Sequence, residues 1–193
     1  MKKILVLTSF FAYLNVLCQN IDTSLTNLSR KSALKIMAFD NNKEISVGTG
    51  FFIEVHGIMY VVSCLHVVSK ITQNPNHSTN YILYRYIKGV TYNGDTIDLN
   101  MQAIDKTGIP LEYMERDFCV LKEKKKTKAQ CHLSILPDSC KVEVGDFIYV
   151  SGYPLNCPLL THNGMVSGFS TDSGFVFIQS PFNEGNSGRG NNK

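Results

Sequence analysis

The sequence lacks the features that would place the protein in a membrane or on a nucleic acid. Charged residues make up only 18% of its 193 residues, and the formal net charge is +3. No apolar run reaches the ~20 residues that a membrane-spanning helix needs, and internal repeats and low-complexity segments are also absent. Hydrophobic residues, at 44%, can form a core. The composition therefore favours a globular domain and gives no general reason to expect a nucleic-acid partner.

The N-terminal segment, residues 1–18, has the pattern of a secretory signal peptide. A basic Met1–Lys3 precedes the largely apolar Ile4–Leu17, and Cys18 is followed by polar residues. We predict cleavage after Cys18 and export to the periplasm or the extracellular space. A buried N-terminal helix and a lipid anchor on Cys18 are the alternatives. Loss of the segment removes Lys2 and Lys3 and lowers the net charge from +3 to +1.

The cysteines do not follow a metal-binding pattern. Five would remain after cleavage, namely Cys64, Cys119, Cys131, Cys140 and Cys157. Because five is an odd number, at least one thiol cannot be in an intramolecular disulfide. Cys131 and Cys140 flank a turn-like segment and are the favoured pair. No cysteine has the C-x-x-C spacing of a zinc site, so we expect neither a structural metal nor a cofactor.

Short apolar runs separated by turn residues dominate the chain after Ile21. Ser46–Val55 and Ile58–Val68 are predicted to form a hairpin with a turn at His56-Gly57. Outside the N-terminal segment, only Asp22–Lys31 shows a helical pattern. The remaining predicted strands are Ala33–Phe39, Tyr81–Tyr86, Met101–Ile104, Phe118–Leu121, Phe147–Ser151, Met165–Ser170 and Gly174–Gln179. Regularly spaced short strands indicate an all-β barrel or sandwich.

Three residues have the chemistry and the order of a nucleophilic site. His66 follows an apolar strand pattern, Asp117 directly precedes the apolar run of DFCVLK, and Ser187 lies in the glycine-framed GNSG. Acyl transfer by serine needs a base to accept the hydroxyl proton and a carboxylate to orient that base. Each residue alone is a common structural residue. Their order and local contexts together predict the site.

These motifs resemble the trypsin-like serine peptidases, in particular the bacterial HtrA-like branch. The resemblance covers Ala33–Gly188 and rests, in family order, on GTGFFIEVHGIMYVVSCLHVV, DFCVLK, VSGYPLNCPLLTHNGMVSG and EGNSG. It implies an all-β fold of two β-barrels with the active site in the cleft between them. Residues 19–121 would contain the N-terminal barrel, and residues 122–193 would contain a linker and part of the C-terminal barrel.

The resemblance also implies a role for each site residue. Ser187 would be the nucleophile, His66 the general base and Asp117 the carboxylate that orients His66. The backbone N–H groups of Gly185 and Ser187 would form the oxyanion hole. The substrate would be a polypeptide, and part of its specificity pocket would be lined by Pro181, Phe182, Asn183 and Glu184.

The sequence departs from the family pattern after Gly188. Family members continue with another glycine, a proline and further strands, whereas Arg189–Lys193 is short and polar. We therefore expect the second barrel to be incomplete and this chain alone to have little or no peptidase activity. A truncated peptidase, a short non-catalytic module that binds peptides or a protein, and a barrel completed by a partner chain are the possible explanations. The remaining alternative is an all-β protein with a coincidental triad.

Overall fold

Strands dominate the structure, a computed structural model that describes residues 23–73, 79–101, 112–113, 117–125, 131–135, 139–154, 157–171 and 176–180. Two helices lie in these ranges, α1 (Thr23–Ser32) and α2 (Leu65–Val68). The strands are β1 (Ala33–Asp40), β2 (Lys43–Val55), β3 (Ile58–Ser63), β4 (Ser69–Gln73), β5 (Thr79–Leu83), β6 (Tyr86–Val90), β7 (Thr96–Met101), β8 (Glu112–Tyr113), β9 (Phe118–Glu123), β10 (Leu133–Ser134), β11 (Phe147–Gly152), β12 (Leu160–Phe169) and β13 (Val176–Gln179). The predicted all-β class is confirmed.

Six strands close into a barrel. Their order around it is β1-β6-β7-β9-β3-β2, every neighbouring pair is antiparallel, and β2 pairs with β1 to complete the ring. Outside the ring, β8 pairs with β9, and β10 adds to β2 in parallel. A ring of paired strands leaves no open edge, which makes this barrel a firm support for the residues at the ends of β3 and β9.

Side chains that alternate along the strands fill the barrel. In β1, Leu34 and Ile36 are fully buried while Lys35 between them is partly exposed, the period of two expected for a strand. The same core contains Phe52 and Leu121 with no exposed surface. Full burial of one such side chain contributes about 1.5–3 kcal/mol to stability. The core therefore fixes the strands that carry the candidate site.

The β2–β3 hairpin turns where the sequence predicts. His56 and Gly57 both have positive φ angles, 52° and 76°, between the paired residues Val55 and Ile58. Positive φ at both central residues is the geometry of a type I′ turn, whose twist matches that of the strands it joins.

The prediction that one strand covers Ile58–Val68 is wrong beyond Ser63. Residues 65–68 form the single-turn helix α2 instead. The turn buries Leu65, Val67 and Val68 in the barrel core, and the buried Ser69 hydroxyl donates to the Leu65 carbonyl at 2.7 Å. Core packing thus outweighs the strand preference of this valine-rich segment.

Other predicted strands also have different bounds. The strand predicted at Tyr81–Tyr86 is divided between two elements, since β5 ends at Leu83 and β6 begins at Tyr86. Of the strand predicted at Met101–Ile104, Met101 ends β7, and residues 102–104 lie outside the described residues. The strand predicted at Met165–Ser170 belongs to a longer β12 that begins at Leu160. The polar residues 161–163 at the start of β12 interrupt the apolar run, so the sequence pattern predicts a later start for this strand.

A second sheet of three antiparallel strands, β11-β12-β13, follows the barrel. It contacts the rest of the molecule through polar groups: the Thr49 hydroxyl accepts a hydrogen bond from the Tyr153 N–H at 2.9 Å, and the Ser29 hydroxyl of α1 donates to Ser151 at 2.8 Å. Large apolar side chains on this sheet are exposed, including Phe147 (76%) and Phe177 (55%).

The described cysteines are thiols. The predicted disulfide between Cys131 and Cys140 is therefore wrong for this structure. In the part of the chain that the structure describes, no helix is both long enough and apolar enough to span a membrane.

Candidate active site

The site lies where the end of β3 is paired with the start of β9. Ser63, the last residue of β3, pairs with Cys119 near the start of β9. After Ser63 the chain continues into α2, and Asp117 is the residue directly before β9. Fifty-one residues separate His66 from Asp117 in the sequence, and the pairing of the two strands brings them into contact.

Asp117 binds the start of α2 at three points. Its carbonyl accepts a hydrogen bond from the Leu65 N–H at 3.2 Å, and its Oδ1 accepts one from the His66 N–H at 3.0 Å. Its Oδ2 contacts Nδ1 of the His66 ring. The first N–H groups of a helix have no partner within the helix, and Cys64 at the N-cap supplies no side-chain bond. Asp117, directly before β9, supplies this cap.

The contact between Nδ1 and Oδ2 determines which end of the imidazole faces the carboxylate. A neutral imidazole that donates from Nδ1 carries its lone pair on Nε2, at the opposite side of the ring. The His66 side chain is 18% exposed and that of Asp117 is 39% exposed. The two side chains are thus partly shielded from water, and Nε2 of His66 itself is buried.

Asp117 has an unusual backbone conformation. Its φ angle is 50°, in the left-handed region that non-glycine residues seldom adopt. Aspartate tolerates this region better than most residues, and such conformations are found where the surrounding structure fixes them at functional sites. Here the conformation lets the carbonyl and the carboxylate of one residue both face α2.

Cys64 lies beside this pair, which the sequence analysis did not anticipate. One ligand-type atom from each of Cys64, His66 and Asp117 lies within 4.8 Å of the other two. Burial raises the pKa of the Cys64 thiol from 9.0 to about 11, and the negative charge of Asp117 adds to the rise. The thiol is therefore protonated near neutral pH and is a poor nucleophile in that state. The position two residues before His66 is the only sequence signal that could have pointed to it.

The other predicted site residues lie outside the described residues. These are the nucleophile Ser187, the oxyanion-hole residue Gly185 and the pocket residues Pro181, Phe182, Asn183 and Glu184. Within the described part of the chain, the predicted site is represented by His66 and Asp117, which lie together.

Comparison with known proteins identifies the fold and the family. The profile of the trypsin-like peptidase domain matches residues 48–188, well over half of the chain. The chain belongs to the trypsin-like peptidase family. This confirms the resemblance found in the sequence, and the matched residues of this trypsin-like chain include His66, Asp117 and Ser187. No curated protein sequence matches the chain significantly.

One solved structure that is similar to this trypsin-like chain is the serine endoprotease from Yersinia pestis. The two share 17% sequence identity with a TM-score of 0.63, over 86% of this chain and 51% of that chain. The likeness at this identity is one of fold. This chain therefore corresponds to about half the length of that protein.

Proposed function

We propose that the chain is an exported trypsin-like serine endopeptidase that cleaves polypeptides through a triad of Ser187, His66 and Asp117. The observation that carries the proposal is the His66–Asp117 pair, in which one aspartate holds both the backbone and the ring of the histidine. Membership of the trypsin-like peptidase family supports a polypeptide substrate, and the pattern of residues 1–18 supports export.

In the proposed reaction, Nε2 of His66 accepts the Ser187 hydroxyl proton as the serine oxygen attacks the carbonyl carbon of the substrate. Asp117 stabilises the resulting imidazolium through Nδ1. The N–H groups of Gly185 and Ser187 stabilise the oxyanion. His66 then donates its proton to the departing amine, and water hydrolyses the acyl-enzyme with His66 again acting as the base.

A fluorophosphonate probe tests this proposal because it reacts with serines that a neighbouring base activates. We expect slow labelling of the folded chain, in line with the low activity that the sequence predicts, and we expect this labelling to disappear in Ser187→Ala. Ser167→Ala is the matched control, since Ser167 lies on an exposed position of β12. Lack of labelling of folded protein, or labelling that survives Ser187→Ala, would contradict the proposal.

A non-catalytic module that binds peptides or a protein is the second candidate. The exposed apolar side chains of the three-stranded sheet favour it, in particular Phe147, Val176 and Phe177, because large exposed apolar patches mark interaction surfaces. A peptide-library binding assay distinguishes the two functions: binding that Ser187→Ala retains, in a parent that the probe does not label, would favour the module.

A further inference from the structure

We propose that Cys64, His66 and Asp117 form a binding site for a borderline-soft divalent metal ion such as Zn²⁺, and that the bound ion inhibits the enzyme. The metal-binding half of this proposal rests on the geometry of the three side chains. The inhibitory half rests on the proposed function. No structural role in folding is assigned to the ion.

The three side chains are a suitable ligand set. A thiolate, an imidazole and a carboxylate are the donors that Zn²⁺ and Co²⁺ accept, whereas Mg²⁺ and Ca²⁺ prefer oxygen donors alone. One donor atom from each residue lies within 4.8 Å of the other two, and all three residues are partly buried. Three protein ligands leave a fourth tetrahedral position for water, as in zinc sites that exchange a ligand.

Coordination requires the donor atoms to shift, since they lie within 4.8 Å of one another and Nδ1 of His66 is in direct contact with Oδ2 of Asp117. At Zn–ligand distances of about 2.0–2.3 Å, tetrahedral donor atoms lie about 3.3–3.8 Å apart. Hydrogen bonds to the backbone hold Asp117 against α2, so the thiol and the imidazole ring are the groups that would move. Cys64 has an extended backbone and makes no side-chain cap hydrogen bond. Rotation of its Cα–Cβ bond therefore costs no helix cap, and binding releases the thiol proton to solvent.

A bound ion would prevent His66 from acting as a base, whichever ring nitrogen is the ligand. A neutral imidazole has one lone pair in the ring plane. An ion on Nε2 occupies the lone pair that would accept the serine proton. An ion on Nδ1 leaves the remaining proton on Nε2, so the ring again cannot act as a base. His66 and Asp117 would thus act in catalysis without the ion and be blocked with it.

Cobalt spectroscopy tests the binding site without reference to activity. Co²⁺ bound by one thiolate gives a near-ultraviolet charge-transfer band, together with visible bands typical of four-coordination. We expect one equivalent of Co²⁺ to produce these bands in the reduced protein and Zn²⁺ to abolish them. Cys64→Ala and Cys64→Ser should both lose the charge-transfer band. His66→Ala should weaken binding by roughly tenfold or more, at least the loss typical of an altered metal site.

Cys140→Ala is the matched control because Cys140 is exposed and outside the cluster. It should keep the bands of the parent. A charge-transfer band that survives both Cys64 substitutions in protein with parent-like circular dichroism would overturn the site, as would the absence of any band in the parent. Mg²⁺ in place of Zn²⁺ should not displace the cobalt, and displacement would contradict the assigned ligand set.

Probe labelling with and without Zn²⁺ tests the inhibitory half. Zinc should reduce labelling of the parent, and Cys64→Ala should need at least about tenfold more zinc for the same fractional reduction. Equal zinc sensitivity in parent and variant would overturn the inhibition. A parent that is unlabelled without zinc would instead refute the proposed function, and the cobalt bands would still decide whether the metal site exists.

Discussion

The packing around Gly50 in β2 gives a quantitative prediction about the stability of the barrel that supports the site. A Cβ at this position would lie 3.0 Å from Cδ1 and Cγ1 of Ile36 and 3.0 Å from Cγ1 of Val61. Both neighbours are fully buried in the barrel core. The substitution Gly50→Ala therefore forces two close-packed side chains apart in a core that has no exposed direction in which to expand.

The expected cost follows from these distances. Carbon atoms in favourable contact lie about 3.5–4.0 Å apart, so each neighbour must retreat by about 0.5 Å. Overpacking of this kind typically costs about 1–3 kcal/mol. Alanine also lowers the conformational entropy of the unfolded chain, which offsets about 0.4–1 kcal/mol of this cost. We expect Gly50→Ala to lower the free energy of unfolding by about 0–2.6 kcal/mol.

Urea unfolding measures this change, and Gly168→Ala is the matched control. A Cβ at Gly168, also in a strand, would meet only Phe177 Cδ2 at an ordinary 3.6 Å. Gly168→Ala should therefore stabilise the protein by about 0.4–1 kcal/mol. The double variant with Ile36→Val should be more stable than the sum of the single changes predicts, because the valine lacks the Cδ1 that clashes.

Gly50→Ala should also perturb the candidate active site. Gly50 pairs with Ser63, whose hydroxyl donates to the Thr49 carbonyl at 2.8 Å, and α2 with His66 begins two residues later. Labelling by the fluorophosphonate probe should be slower in Gly50→Ala than in Gly168→Ala. If Gly50→Ala were as stable as Gly168→Ala and showed no coupling to Ile36→Val, the packing argument would be refuted.

Three further predictions concern the site and its contact with the second sheet. Asp117→Asn should keep the circular dichroism of the parent but slow probe labelling on the order of 10⁴-fold, because an amide favours the wrong tautomer of His66. The raised pKa of Cys64 contributes stability that is present below pH 9 and lost as the pH rises through about 11. Urea unfolding of the parent across this range should therefore show a fall of up to about 3 kcal/mol more than in Cys64→Ala, and equal falls would contradict the shift. Thr49→Val removes the acceptor of the Tyr153 N–H and should cost about 1–3 kcal/mol in the same assay, whereas Thr49→Ser should retain most of the stability.

Local patterns in the sequence predict the all-β fold and the β2–β3 hairpin, but they do not predict the helical turn that carries His66. The hairpin at His56-Gly57 is predictable because few residue pairs accept positive φ at both turn positions. Helix α2 is not predictable in this way, since valine-rich segments are typical of strands. Its helical form depends on burial of Leu65 and Val68 against strands that are distant in sequence.

The same dependence on distant residues explains why the order of His66 and Asp117 in the sequence does not predict all their contacts. The order of the two residues predicts a catalytic pair, yet it does not predict that Asp117 also caps α2 through its carbonyl and Oδ1. This double role couples the orientation of the base to the stability of the turn that carries it. Asp117→Asn retains a side-chain oxygen and hydrogen-bonding capacity at the cap but loses the charge at Nδ1. A change to alanine at Asp117 removes both. The difference in stability between these two variants therefore measures the Oδ1 hydrogen bond together with the cost of alanine at positive φ. The asparagine variant alone isolates the effect of the charge on His66.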